Sequence, residues 1–203
     1  MIGISSIISI GVSITKALVN IGMTMQGLKI LTNTLIGVAK GLGLIKSECK
    51  AEDLGDKALQ AEEKEGIVPE NYQTYEAYVK AIDDFEVDLE KSKMIPEEEK
   101  VRRGTEIAVG LTVEHFPNIQ LEDFFECVGK NLGYFTAERI SEIMKLLPNN
   151  PKYINDILTY VNGTEKNPKV IENTMNTLIG VEKKVNPNVN DIDAMYKVAS
   201  IRK

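Results

Sequence analysis

The 203-residue sequence is 43% apolar and 27% charged, a globular balance that argues against wholesale disorder. It contains no Trp and few aromatic residues, so its core must rest on Leu, Ile, Val and Met. The net charge is −6 with no dense basic stripe, which argues against nucleic acid as a partner, since phosphate neutralisation needs clustered Lys and Arg.

Residues 1–46 form the first segment, and they carry four Lys (Lys16, Lys29, Lys40 and Lys46) and no acid. Ser5, Ser9, Ser13, Lys16, Asn20 and Thr24 follow one another at steps of three or four. That spacing draws one narrow polar stripe on a helix, with Ile, Val, Leu and Met around the rest. The stripe would face water, or line a lumen in a ring of copies. Residues 8–15 also alternate apolar and polar, a strand pattern. Helix is preferred because the apolar character continues past Lys16 without a turn signal. Lys16 follows the apolar run instead of preceding it, so no signal peptide is expected. The longest charge-free run is residues 1–15, diluted by serine and short for a conventional membrane span.

Gly37 and Gly41 make a G-x-x-x-G in apolar surroundings, where missing side chains let helices approach closely. A helix apolar on most of its girth must be enclosed by copies of itself, by a partner or by lipid. Residues 1–46 are therefore expected to be an apolar helical association segment, with Gly22, Gly27, Leu31, Gly37 and Gly41 at the interface.

Residues 47–69 read as an acidic linker or solvated helix, with a sparse line of Leu54, Ala58 and Ala61. From residue 70 to 203 the pattern predicts a soluble helical domain. Thr74 caps a helix whose apolar positions are Tyr75, Tyr78, Val79, Ile82, Phe85 and Leu89. The acids from Asp83 to Glu90 read as its solvated face. Pro96 with Glu97, Glu98 and Glu99 opens the next helix, which should end near His115. Short helices follow near 119–131, 136–147, 151–162, 168–184 and 189–201. Asn150-Pro151, Asn167-Pro168 and Asn186-Pro187 are expected to open three of them, and Asn188 or Asn190 to cap the last.

Nothing in the sequence assembles a reaction centre. His115 is the only histidine, in a context that matches no metal motif, and Cys49 and Cys127 have neither disulfide-framework nor zinc spacing. Asn188, Asn190, Asp191 and Asp193 lack the Gly and distal Glu of a calcium loop. Gly41-Leu-Gly43 lacks the rest of a phosphate loop. The sequence alone thus indicates an all-α, non-enzymatic assembly protein with no catalytic, cofactor-binding or metal residues and no cofactor. It would pair with itself or another protein through residues 1–46, in the cytoplasm or a large assembly. The alternative is a membrane-active, pore-forming protein that inserts residues 1–46 into lipid.

Overall fold

The structure is a computed structural model that describes residues 3–116, 121–147, 150 and 152–203. Pro117 and Pro151 lie outside the described residues, as do the first two residues of the helix expected at 119–131. Eleven α-helices and no strand occur among the described residues, so the chain is all-α. The strand pattern at residues 8–15 lies inside a helix: its alternation is real, but Ile7, Gly11, Ile14 and Leu18 supply a helical line that buries together. Contacts divide the chain into two compact units, Met1–Pro117 and Asn118–Lys203. The boundaries expected after residues 46 and 69 both fall within the first.

That first unit holds α1 (Ile4–Asn20), α2 (Met25–Gly41), α3 (Ala51–Glu65), a 3-10 turn (Pro69–Asn71), α4 (Tyr75–Asp83), α5 (Leu89–Met94) and α6 (Glu97–His115). Its centre is α6. Three glutamates in the first turn complement the helix dipole, and beyond them every residue from Ile107 to Val113 is buried. This burial all round follows from its position, with α1, α2, α3 and α4 all packed on it. Thr105 and Thr112 do not waste their hydroxyls in this setting. They donate to the Val101 and Ala108 carbonyls at 2.7 Å, and Thr105 also meets Thr32 of α2 at 2.7 Å.

Glycines set the closeness of these helices. A Cβ on Gly11 would lie 2.7 Å from the Glu106 carbonyl oxygen, and one on Gly110 would lie 2.7 Å from the Tyr75 ring. At the α3–α6 crossing Gly55 and Gly104 leave backbone against backbone. Contrary to the expectation for residues 1–46, no distinct apolar N-terminal segment stands apart from the fold. The apolar side of α1 and α2 is enclosed by α6 of the same chain.

Nor is α3 a solvated helix. It buries Ala51, Leu54, Ala58 and Ala61 completely. Its buried acid, Asp56, meets Lys100 Nζ at 3.0 Å and accepts hydrogen bonds from Gln60 at 2.9 Å and from Ser92. The helix capped by Thr74 ends at Asp83 rather than continuing to Leu89. Asp83 is buried and accepts hydrogen bonds from the Lys46 and Ser47 amides at 2.8 and 3.1 Å, so it clips the α2–α3 connection to the end of α4. Leu89 then starts α5, capped by Asp88, and is 73% exposed.

The second unit holds α7 (Leu121–Lys130), α8 (Ala137–Met144), α9 (Tyr153–Val161), α10 (Pro168–Val185) and α11 (Asp191–Ser200). Phe124, Phe125, Phe135, Ile140, Ile154, Tyr160 and Leu178 form its core, with Phe124 and Phe135 edge to face at 6.1 Å between ring centres.

Candidate interaction surface

The sites expected from the sequence disperse in the structure. Ser5, Ser9, Ser13, Lys16, Asn20 and Thr24 are all exposed, so the polar stripe points away from α6. The five expected interface residues do not share a face. Gly27 and Leu31 are buried inside the first unit, whereas Gly22 sits in the α1–α2 turn with φ of +83°. Gly37 and Gly41 are exposed, and a Cβ added to either would meet nothing within 4 Å. The close approach expected of them belongs to Gly11, Gly55, Gly104 and Gly110.

His115 and Cys127 lie in different units, each with its own neighbours. His115 Nε2 lies 3.6 Å from Glu76 of α4. Burial pushes the Cys127 thiol up to about 11, against the helping charges of Lys203 and Lys130, which keeps it protonated near neutral pH. Its cleft between α7 and α9 is edged by Asp123, Glu126, Lys130 and Asn155. No group of three or more His, Cys, Asp or Glu that could hold a metal occurs among the described residues.

The unabsorbed feature is α11, and its local sequence explains how it is built. Helix α10 starts where Asn167 accepts the Lys169 amide at 3.0 Å and Pro168 pre-sets the first turn. It stops before Pro187. Asn186-Pro187 does not open a helix as expected, because Asn186 ends α10 and turns its amide to Glu182 at 2.8 Å. The start of α11 falls to Asn190, which accepts the Asp193 amide at 2.9 Å.

One side of α11 is committed to its own unit. Ala194 and Val198 are fully buried, and the Val198 carbonyl accepts the Tyr160 hydroxyl at 3.3 Å. Glu182 of α10 is fully buried and pins three elements. It accepts hydrogen bonds from Arg139 Nε of α8 at 2.6 Å, Lys197 Nζ of α11 at 2.8 Å and Asn186. Burial raises the carboxyl, but these donors outweigh it and hold Glu182 down to about 2.

The opposite side of α11 carries a second apolar line. Ile192 is 62%, Met195 40% and Tyr196 67% exposed, and Ala199 beside them is also exposed. These positions follow the i, i+3, i+4, i+7 rule of one helix face. Other exposed large apolar residues stand apart from one another: Ile21 and Leu42 in the first unit, Leu89 and Met94 at the two ends of α5. Asp193, also exposed, edges the α11 line on the Tyr196 side. The spacing of DIDAMYKVAS already contained both lines, but a helix with apolar residues on opposite faces is indistinguishable in sequence from one buried on both. Comparison with protein-family models, with curated proteins and with solved structures finds no match.

Proposed function

We propose that this chain is a non-enzymatic assembly protein that oligomerises or packs into a larger complex. The observation that carries the reading is the uncovered apolar line on α11. Contiguous apolar residues left in water on one face of a helix mark interaction surfaces more often than scattered ones do. Residues 1–46 contribute through the outer faces of α1 and α2, while their inner faces build the first unit.

The reading is tested by measuring the mass of the purified chain by sedimentation and light scattering, with and without detergent. A defined oligomer in plain buffer supports it. A monomer that releases dye from anionic liposomes would replace it with the membrane reading, which requires α1 and α2 to leave α6. No helix among the described residues is long and apolar enough to cross a membrane as it stands.

A further inference from the structure

We propose that the cavity between the α7–α8 turn and the C-terminal half of α11 binds a small organic oxyanion, a molecule that presents a phosphate or carboxylate group to Arg139. The cavity has a volume of about 480 Å³, within the range of small-molecule sites. Asn131 and Gly133 line it from the turn, Arg139 from the first turn of α8, and Lys197 and Ser200 from α11. Lys197 stands on the other side of α11 from the exposed apolar line, so the site is independent of the assembly reading.

Arg139 is the anchor. It is only 8% exposed, and three contacts fix its guanidinium. Nε donates to Glu182 at 2.6 Å, Nη1 donates to the Tyr134 carbonyl at 2.8 Å, and the group lies over the Tyr134 ring at 4.9 Å from its centre. Those bonds use Nε and Nη1 and leave Nη2 without an acceptor among the described residues. Nor is Nη2 sealed in. The enclosed side-chain polar atoms that lack a partner among the described residues are Glu52 Oε2, Arg103 Nε, Tyr134 Oη and Thr136 Oγ1, with no atom of Arg139 among them. Its unused donors therefore open to the cavity that its side chain lines. A guanidinium held in place with donors unspent suits the oxygens of a carboxylate or phosphate, and its fixed position removes an ordering cost from binding.

Charge favours the same class of ligand. Lys197 Nζ gives one hydrogen bond to Glu182, at 2.8 Å, and an ammonium carries three donors. Arg139 and Lys197 bring two positive charges against the single negative charge of Glu182, which is fully buried and does not line the cavity. No acid lines the cavity among the described residues, so one positive charge is left over for a ligand. The Asn131 amide spends one hydrogen on the Cys127 carbonyl at 2.8 Å and keeps a second. Ile201 adds an apolar wall, which calls for an organic body on the ligand rather than a bare ion.

The test is two-dimensional NMR of the isotope-labelled full chain, titrated at constant ionic strength with phenyl phosphate, with benzoate and with neutral benzyl alcohol. Phenyl phosphate or benzoate should shift the Asn131, Gly133 and Ser200 amides and the Arg139 Nε–H saturably, half-complete at about 1 mM or below. Tighter binding of the first assigns the site to phosphates, and of the second to carboxylates. Benzyl alcohol should leave these signals in place. Ser200→Glu and Gly133→Glu bring an acid to the cavity from α11 and from the turn, and a Cβ on Gly133 would meet nothing within 4 Å. Each should weaken binding about tenfold or more with the circular dichroism unchanged. Equal shifts with benzyl alcohol would overturn the oxyanion preference. Shifts that persist undiminished in both folded variants, or no saturable shift up to about 10 mM, would overturn the site.

Discussion

Gly55 of α3 and Gly104 of α6 meet at a crossing that has no room for one side-chain carbon. A Cβ on Gly55 would lie 1.7 Å from the Lys100 carbonyl oxygen, and one on Gly104 would lie 2.0 Å from that of Ala51. The obstacle in both cases is backbone, which cannot rotate aside. Gly55→Ala and Gly104→Ala should each destabilise the first unit by about 2–3 kcal/mol, the overpacking cost outweighing the roughly 1 kcal/mol gain in helix propensity. Urea denaturation followed by circular dichroism reads this directly, and an unchanged midpoint would remove the crossing from the account of the fold.

Gly37→Ala and Gly41→Ala should do the reverse. Both positions are exposed with open space around them. Each substitution should raise stability by about 0.5–1 kcal/mol, because alanine loses less backbone freedom on folding. A destabilised monomer would show that an unseen contact uses these glycines. Loss of the oligomer with the monomer's stability raised would return the association surface to α2.

Acid should loosen the second unit through Glu182. Its folded pKa of about 2 lies below the ordinary glutamate value of 4.5. Its stabilising contribution is therefore fully present above 4.5 and is lost as pH falls from there toward 2. Asp56 and Asp83 are likewise held below the usual aspartate value, despite burial, by the hydrogen bonds of Ser92 and Gln60 and of Ser47 and Lys46. The first unit should lose their contribution as pH drops below about 4. Thermal melts between pH 7 and pH 3 should fall accordingly. Glu182→Gln should cost about 3–5 kcal/mol at pH 7, since it leaves Arg139 buried without its partner, and should flatten the acid dependence of the second unit. A variant with an unaltered melting curve would mean that the Arg139–Glu182 pair forms no part of the native state.

The helices whose ends carry local chemistry were legible in the sequence. Pro96 with Glu97–Glu99 and the stop at His115 gave α6, and Thr74, Asn167 and Asn190 supplied the caps of α4, α10 and α11. What escaped was whatever depends on partners distant along the chain. Apart from Leu54, the apolar inward side of α3 is made of Ala and Gly, which score as weakly apolar yet allow the closest packing among the described residues. Asp83 and Asp56 looked like solvated acids because their donors, at Ser47, Ser92 and Lys100, lie some 36 to 44 residues away. Leu89 matched the period of α4 but belongs to a separate helix and stays in water. The α11 surface was present in the spacing, and only the structure tells which of its two apolar sides is already occupied.

Truncation should separate the two units. The fragment 118–203 is the second compact unit with its own core and should fold alone with a cooperative melt. A fragment from residue 70 onward should not behave so well, because it strips α1, α2 and α3 from α6 and exposes Val101, Ile107 and Leu111. Dye binding to exposed apolar surface, with loss of sharp side-chain NMR dispersion for that part only, is the expected outcome. A well-folded monomeric 70–203 would show that α6 does not need its N-terminal neighbours.

The central position of α6 also imposes a timetable. It is the last helix of its unit to leave the ribosome, while α1 and α2, which pack on it, are the first. At about 5–20 residues per second, the apolar sides of α1 and α2 wait roughly 4–15 seconds for the helix that covers them. During that interval the nascent chain presents bare Ile7, Ile14, Leu18, Leu28 and Leu35 beside four lysines and no acid. Folding of this unit is thus governed by the arrival of its C-terminal helix. Slowing translation between residues 41 and 115 should lower the yield of native chain without altering the stability of what does fold.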